Sequence, residues 1–441
     1  MGNHLFQLSD LRMVLHIRIT VFRLLYRLAI LMKGFLAPLI PVHVRYRIKS
    51  KLLGLAQPKS KGKTSTVLAK DEGINLIGYA RAETGIGESC RIAARNLDAA
   101  GIPFGVINFT GTNSARMEDL SWSHKEFKEP LYDINLVHLN AEQIIEIYSE
   151  FGPQLFGGRY TIGYWHWELP DFPDRWLKSF SLVDEVWVPS SFVADSIAEK
   201  SPVPVVKIPH SVRVVISKPR DRAYFGLPAD RFLFLCMFDL NSYQARKNPQ
   251  AAIEAFNTAF RDRSANVGLV LKINGCINNQ KDFRKLQEAV RDFDNIYIIA
   301  ETLTRNDTNA LMNTVDCYVS LHRSEGFGLG MAESMYLGKP VIGTAWSGNI
   351  DFMTPFNSCL VDYCLVQLGA TYGPYEAFQY WAEPDVEHAA YYMKRLVEDR
   401  NYYDRLSEAG KKDIFERYSP EIVGKQIKKR ISYIRKYNTR R

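Results

Sequence analysis

The stretch Ser324-Glu-Gly-Phe-Gly-Leu-Gly-Met-Ala-Glu333, with Gly338-Lys-Pro-Val-Ile342 soon after it, decides how this chain is expected to fold. Its two carboxylates, Glu325 and Glu333, lie eight residues apart on either side of a glycine-rich turn. That spacing does not place both on one helical face, so the first is predicted on a loop and the second about one turn into a helix. A strand, a glycine-rich turn and a helix in this order indicate an α/β sheet.

The residues of this turn suit an anionic ligand. Gly326 and Gly328 let the backbone approach a ligand closely because they carry no side chain. The N–H groups that open the following helix can bind a diphosphate, and Glu333 can accept hydrogen bonds from a ribose diol. A plain glycine-rich connection with two surface acids is the alternative.

The rest of the chain repeats the strand–helix alternation in units of about 30 residues, which predicts parallel, doubly wound sheets. One series of predicted strands covers 74–79, 104–109, 134–139, 160–165, 185–188 and 205–208, with a helix at 88–100 after the first. A second series covers 232–237, 268–273, 296–300, 317–320 and 340–343. We therefore predict an α/β protein with two Rossmann-like domains facing a cleft, in which ligands bind at the carboxyl ends of the strands.

Composition shifts and prolines place the domain bounds. We predict a basic amphipathic extension and linker at 1–70, a first Rossmann-like domain at 71–212, a second Rossmann-like domain at 213–405, and a C-terminal basic helix at 406–441. The length of 441 residues suits two domains rather than one.

The net charge of +8 is the sum of unlike parts. Residues 1–70 carry +12 and residues 425–441 carry +8, so the body between them carries −12. A nucleic-acid binder should carry its positive charge on the folded domain, which excludes that class of partner here. Basic ends on an acidic body favour an anionic membrane surface instead.

The segment 11–33 is the one membrane candidate. It is too rich in charge to span a bilayer, but Arg12, His16, Thr20, Arg23 and Arg27 fall on one stripe of an otherwise apolar helix, with only Arg18 off it. This pattern is typical of a helix in the membrane interface, and a helix packed on the body or on a partner is the alternative. Six cysteines without a CxxC pair indicate the cytoplasm, so we expect a protein peripheral on the inner face of the cell membrane.

Several motifs in order resemble one enzyme family. The Glu325 to Glu333 motif, with Ser347-Gly348-Asn349 after it, is similar to the E-x7-E motif of retaining, GT4-type glycosyltransferases, which belong to glycosyltransferase group 1 and have the GT-B fold. Upstream, Arg246-Lys-Asn-Pro249 resembles the basic donor-phosphate motif of that family, and 271–275 and 311–320 also match. The resemblance covers about residues 74–400 and is strongest over 231–353. It implies that 71–212 is the acceptor-side domain and 213–405 the nucleotide-sugar-binding domain, and that the basic helix at 406–441 packs back toward the first domain.

The resemblance implies a role for each matching residue. Glu333 would bind the ribose and Glu325 would face the transferred sugar, while Lys247, with Arg246, would neutralise the diphosphate leaving group. The donor-binding set would be completed by Asn274, Gly326 and the backbone amides of Phe327, Gly328 and Leu329. The sequence departs from the family at Asp239, where an arginine is usual. Whether Arg246 replaces that missing cation is left open by the sequence.

Two loops of the first domain also match the family. Gly85 and Gly87, in a turn that opens a helix after the first strand, resemble the glycine-rich loop that approaches the donor diphosphate. His166, in Tyr164-Trp-His-Trp-Glu-Leu-Pro170, resembles a histidine near the reacting sugar; a packed aromatic loop is the alternative. His138 is predicted as a core or rim residue, and His210 as one that shapes the cleft.

The function implied is transfer of a hexose from a nucleotide diphosphate sugar to a saccharide acceptor, lipid-linked, in bacterial surface-polysaccharide biosynthesis. A GDP-mannose-like donor is favoured, and neither a metal nor another cofactor is expected. Other GT-B enzymes such as an epimerase or a phosphorylase, and a silent membrane-docking scaffold, are alternatives. An NAD-dependent oxidoreductase built on Gly85 and Gly87 is disfavoured because the third glycine is missing.

Overall fold

The computed structural model describes residue 21 and residues 71–111, 115–261 and 266–438. Apart from residue 21, the predicted basic extension at 1–70, with its amphipathic helix at 11–33, lies outside the described residues. The described chain divides into two compact units. The first contains the residues up to Trp165 together with Asp174–Trp187 and Ser201–Val206, and the second contains His166–Pro173, Val188–Lys200 and everything from Lys207 onward.

A six-stranded sheet forms the centre of the first unit, in the order β2-β1-β3-β4-β5-β6. Its strands are β1 (Asp71–Gly78), β2 (Phe104–Asn108), β3 (Tyr132–His138), β4 (Tyr160–Tyr164), β5 (Glu185–Val188) and β6 (Val205–Lys207). The connecting helices are α1 (Gly85–Ala99), α2 (Ala141–Phe151), α3 (Pro153–Phe156) and α4 (Ser191–Ala198). β1 lies between β2 and β3 and pairs with both in parallel, as a doubly wound sheet requires.

The second unit contains another six-stranded sheet, in the order β12-β11-β10-β7-β8-β9, and a separate two-stranded hairpin. The sheet strands are β7 (Phe232–Asp239), β8 (Val267–Asn274), β9 (Ile296–Ile299), β10 (Cys317–Ser320), β11 (Val341–Thr344) and β12 (Cys359–Val361); the hairpin strands are β13 (Tyr363–Gln367) and β14 (Tyr380–Pro384). The helices are α5 (Gln244–Lys247), α6 (Pro249–Ala259), α7 (Gln280–Val290), α8 (Arg305–Thr314), α9 (Leu329–Tyr336), α10 (Val386–Glu398), α11 (Arg400–Tyr418) and α12 (Pro420–Asn438).

Both faces of this second sheet are buried, which explains the unbroken apolar runs in its strands. Along β7, Phe234 and Cys236 pack into a cluster with α6 and α10, whereas Leu233 and Leu235 pack into a cluster with α8 and α9. The prediction of an α/β protein with two doubly wound domains is confirmed. The hairpin β13–β14 was not predicted from the sequence. A half-buried strand is recognised by alternating apolar and polar residues, and these two short strands lack that alternation.

The six cysteines are free thiols, and four of them are buried: Cys90, Cys236, Cys317 and Cys359. Within the described ranges, no helix has both the length and the apolar content to cross a membrane. The predicted packing of the C-terminal helix toward the first domain stays a prediction; α12 belongs to the second unit.

Asn75 is a polar residue in the core of the first unit, on the central strand β1. Its amide nitrogen donates to the carbonyl of Tyr132 at 3.0 Å and to Asn135 Oδ1 at 2.9 Å. Its amide oxygen accepts from the backbone N–H groups of Leu131 and Tyr132 at 2.8 and 3.0 Å. The side chain therefore holds the start of β3 against β1.

We expect Asn75→Ala to destabilise the protein by about 3 kcal/mol, because it leaves several buried donors and acceptors without a partner. The melting temperature measured by circular dichroism should fall by roughly 5–10 °C. Asn266→Ala is the matched control, since Asn266 is exposed; there the change in stability should stay within about 0.5 kcal/mol. An equal loss in both variants would contradict a structural role specific to Asn75.

Candidate active site

The glycine-rich turn connects β10 to α9 in the second unit. Glu325 lies on the loop and Glu333 one turn into α9, as their spacing predicts. Gly328 precedes the helix with φ of +89°, and a Cβ at this position would lie 2.3 Å from the side chain of Met331. Glycine is therefore required here, and the first N–H groups of α9 are left without a capping side chain.

A second turn, Ser347-Gly348, holds the backbone of Glu325 from both sides. The N–H of Glu325 donates to Ser347 Oγ at 2.8 Å, and the N–H of Gly348 donates to the carbonyl of Glu325 at 2.9 Å. A Cβ on Gly348 would lie 2.2 Å from the carbonyl oxygen of Gly326, so only glycine allows this approach. The Ser347-Gly348-Asn349 motif thus fixes the loop that carries the carboxylate.

Two cations contact the side chain of Glu325. Lys247 Nζ donates to Glu325 Oε1, and Arg246 Nη1 lies 3.2 Å from the same oxygen. Burial alone would raise the pKa of this carboxyl, but the charges of Lys247 and Arg246 more than offset that effect and lower the pKa to about 2. Glu325 is therefore ionised at any physiological pH, and can accept hydrogen bonds or stabilise positive charge but not donate a proton.

Arg246 is only 4% exposed and lies in the short helix α5. Its Nη1 also donates to the carbonyl of Ser324 at 2.8 Å, and its Nη2 lies 4.0 Å from Glu168 Oε1. Burial lowers the pKa of a guanidinium, but Tyr375, Glu325 and Glu168 around it raise the pKa of Arg246 well above its usual value. The guanidinium thus joins the Glu325 loop to the His166–Pro173 segment.

Glu333 and Arg305 form an ion pair within the same unit. Arg305, the first residue of α8, donates through Nη2 to Glu333 Oε1. Glu333 is buried, whereas the Arg305 side chain is about one-third exposed. The predicted ribose-binding carboxylate is therefore paired with a partly exposed cation of the same unit.

The carboxyl ends of β7 and β8 carry a lysine that the sequence argument did not use. Asp239 ends β7, and Asn274, directly opposite it, ends β8. Lys272 on β8 is 3% exposed and donates through Nζ to Asn274 Oδ1 at 2.5 Å. Burial lowers the pKa of Lys272 to about 8, although Cys276, Asp239 and Glu301 act in the opposite direction.

His166 and His210 are neighbours in the second unit. Their Nε2 atoms are 3.0 Å apart and their rings are stacked at 5.1 Å, and the ring of Phe327 packs edge-on against His210. Burial lowers the pKa of His166 to about 4, so its imidazole is neutral at physiological pH. The histidine predicted near the reacting sugar is thus linked, through His210, to the glycine-rich loop.

Gly85 and Gly87 begin α1 in the first unit. Thr84 caps this helix, accepting from the N–H of Gly87 at 3.2 Å. A Cβ on Gly87 would lie 2.0 Å from the carbonyl oxygen of Ala82, so local packing explains this glycine. Nothing lies within 4 Å of a Cβ at Gly85, so the fold itself does not require glycine there. His138, also in this unit, is buried and hydrogen-bonded to Ser89 at 2.6 Å, as expected of a core residue.

Four residues of this neighbourhood were missed by the sequence argument: Glu168, Lys272, Arg305 and Tyr375. Lys272 had a signal, since it is a lone charge inside the apolar run of β8. Glu168 stood in the quoted histidine motif, but nothing there distinguished it from a surface acid. Tyr375 and Arg305 had no local signal, because their positions depend on distant parts of the chain.

Comparison with known proteins identifies the domain that contains this cluster. Residues 217–362 match the family model described as glycosyl transferases group 1. No curated protein sequence matches the chain. The matched region includes the Arg246-Lys-Asn-Pro motif and both carboxylates of the glycine-rich loop.

Solved structures with a similar fold include the following three proteins. S. aureus TarM, in complex with fondaparinux, α-GlcNAc-glycerol and UDP, is 13% identical over 68% of this chain and 55% of its own, with a TM-score of 0.50. Sucrose-phosphate synthase from Thermosynechococcus elongatus is 15% identical over 82% of this chain and 99% of its own, with a TM-score of 0.60. Anabaena Alr3699/HepE, in complex with UDP and glucose, is 14% identical over 82% of this chain and 100% of its own, with a TM-score of 0.56.

The chain spans 55% of the length of TarM and nearly all of the other two proteins. At these identities the likeness to solved structures shows the two-domain fold alone. Residues 217–362 match the family of glycosyl transferases group 1, within a chain whose two-domain fold resembles that of GT-B glycosyltransferases.

Proposed function

We propose that this enzyme transfers a hexose, with retention of anomeric configuration, from a nucleotide diphosphate sugar to a saccharide acceptor. The observation that carries the proposal is the buried carboxylate Glu325, held by Lys247 and Arg246 at the opening of α9 with Glu333 one turn further on. This arrangement offers cations and helix N–H groups to a diphosphate, and carboxylates to sugar and ribose hydroxyls.

The reaction breaks the bond between the anomeric carbon and the diphosphate oxygen. Negative charge grows on that oxygen as it leaves, and Lys247, Arg246 and the N–H groups near Gly328 stabilise it by preorganised electrostatics. The acceptor hydroxyl attacks the anomeric carbon from the same face, and its proton passes to the departing phosphate. Glu325, which stays ionised, orients the transferred sugar and stabilises its developing positive charge.

The donor in this proposal carries a uridine or guanosine diphosphate. The sequence motif favours a GDP-mannose-like donor, whereas the structures of HepE and TarM contain UDP. Both donors present the same diphosphate to the same cations, so the site assignment does not depend on the base. A panel of UDP- and GDP-hexoses, tested by donor hydrolysis and by thermal shift, identifies the base.

Replacing Lys247 by methionine should lower kcat for donor turnover by about 10²–10³, because one preorganised charge at the leaving group is lost. Product nucleotide measured by chromatography gives the rate without knowledge of the acceptor. Lys281→Met on the exposed face of α7 is the matched control and should leave the rate unchanged. Near-wild-type turnover by Lys247→Met would show that this cluster is not the transfer site.

Lys272 supplies the positive charge that the family places near Asp239. It lies near the carboxyl end of β8, on the strand adjacent to β7, and is buried with the neutral amide oxygen of Asn274 as a hydrogen-bond partner. A diphosphate at the carboxyl ends of these strands would give this buried cation a strong counter-charge.

The KM for the donor should therefore depend on pH through Lys272. Because the pKa of Lys272 is lowered to about 8, the ammonium form that attracts the diphosphate is present below pH 8 and is lost above it. We expect KM to be flat from pH 6 to 7 and to rise toward tenfold per pH unit above about 8. Lys272→Met should show a raised KM without this rise; an identical pH profile in the variant would rule out the assignment.

The acceptor in this proposal is lipid-linked, and the basic ends hold the enzyme at an anionic membrane. Residues 1–70 carry +12, and each basic residue near such a surface contributes about 1 kcal/mol of attraction. Removing residues 1–70 should weaken co-sedimentation with phosphatidylserine vesicles at 0.1 M salt, because only the +8 of residues 425–441 remains, while donor hydrolysis persists. Unchanged vesicle binding by the shortened protein would contradict this part of the proposal.

A further inference from the structure

The hairpin β13–β14 stands apart from the six-stranded sheet of its unit. The two strands pair from Tyr363 opposite Pro384 to Gln367 opposite Tyr380, and residues 368–379 connect them. We call this connection the hairpin loop. Reciprocal backbone hydrogen bonds between Tyr372 and Tyr375, at 2.9 and 3.0 Å, close its tip. A loop of this length with an internal bridge is an ordered element rather than a simple turn.

Tyr375 is one of three buried residues of this loop, with Leu368 and Gln379. It is 4% exposed, although most residues around it in the loop are not buried. Its hydroxyl donates to Glu168 Oε2 at 3.0 Å, and its ring lies 5.4 Å from that of Trp167 and 5.9 Å from the guanidinium carbon of Arg246. Burial raises the pKa of Tyr375 well above its usual value, so the hydroxyl keeps its proton and remains a donor.

Further contacts fix the hairpin against the elements that carry the charged cluster, which consists of Glu168, Arg246, Lys247 and Glu325. Gln379 Nε2 donates to the carbonyl of Asp171 at 2.9 Å, within the His166–Pro173 segment. At the other end of β14, Glu383 accepts two hydrogen bonds from Arg323, at 2.6 and 2.9 Å. Arg323 in turn donates to the carbonyl of Ala245 in α5 at 2.6 Å. The hairpin is thus bonded to α5 and to the loop before Glu325.

Two carboxylates, Glu325 and Glu168, lie close to Arg246 and compete for its guanidinium. Glu325 Oε1 lies 3.2 Å from its Nη1, whereas Glu168 Oε1 lies 4.0 Å from its Nη2. A carboxylate that already accepts a hydrogen bond from a buried hydroxyl gains less by moving toward a cation. Without the Tyr375 hydroxyl, Glu168 would close on the guanidinium and draw it away from Glu325.

We propose that Tyr375 is a positioning residue, which holds Glu168 off Arg246 and so keeps the guanidinium on Glu325. The inference rests on the proposed function, because it assigns a role in setting the geometry of the donor-sugar carboxylate. It gives the hairpin a task in catalysis although the hairpin lies outside the main sheet. Tyr375 acts through Glu168 and Arg246 and does not itself touch the substrate.

The test compares Tyr375→Phe with the double variant Tyr375→Phe/Glu168→Gln, using the nucleotide sugar that the wild-type enzyme hydrolyses fastest. We expect Tyr375→Phe to lower kcat about tenfold, with a change in donor KM below about twofold, because one hydrogen bond to a charged group is lost. Replacing Glu168 by the neutral glutamine removes the competing charge. The double variant should therefore return to within about threefold of the wild-type kcat.

Tyr372→Phe removes a hydroxyl from the same loop, where the ring stacks on Trp381 instead of contacting Glu168, and should leave kcat unchanged. Melting temperatures of all variants show whether the loop remains folded. Wild-type kcat in Tyr375→Phe, or a loss that Glu168→Gln does not restore, would overturn the positioning role. A wild-type enzyme inactive on every nucleotide sugar would instead refute the proposed function, so the two failures are distinguishable.

Discussion

The burial of one ionised carboxylate against two cations organises the second unit. An unpaired charge in the position of Glu325 would cost several kcal/mol, so the loop is stable there only when Lys247 and Arg246 are in place. The contacts of Glu325 draw together α5, the turn after β10 and the Ser347-Gly348 turn after β11. One electrostatic requirement thus fixes the relative positions of three segments that are far apart in sequence.

The same requirement suits the chemistry proposed for this site. Cations already held in place do not need to reorganise when charge develops on a leaving phosphate, which is the condition for effective electrostatic stabilisation. In the proposed reaction, the carboxylate serves them as an internal counter-ion until the donor diphosphate binds. Burial and pairing, which stabilise the fold, would then also prepare the site for the proposed donor.

Much of this could be read from the sequence, and the reasons for the remainder are physical. The apolar strands and the glycine-rich turn are local patterns, and local patterns predicted both sheets and the positions of Glu325 and Glu333. The contact between Tyr375 and Glu168 joins residues 207 positions apart, and no local pattern encodes it. Lys272 was predictable only in part. The sequence shows that it lies in an apolar strand, but only the structure shows its hydrogen bond to Asn274.

The composition of the second unit bears on how this chain can be divided. The unit includes two short segments from the first half of the chain, His166–Pro173 and Val188–Lys200. The first contributes Glu168 to the charged cluster. The second contributes Ser190, whose hydroxyl donates to the carbonyl of Gly326 at 2.6 Å. A fragment cut at the boundary between the two main sheets would lose both residues. Exchange of whole domains between enzymes of this architecture must therefore carry these two short segments along with the C-terminal half.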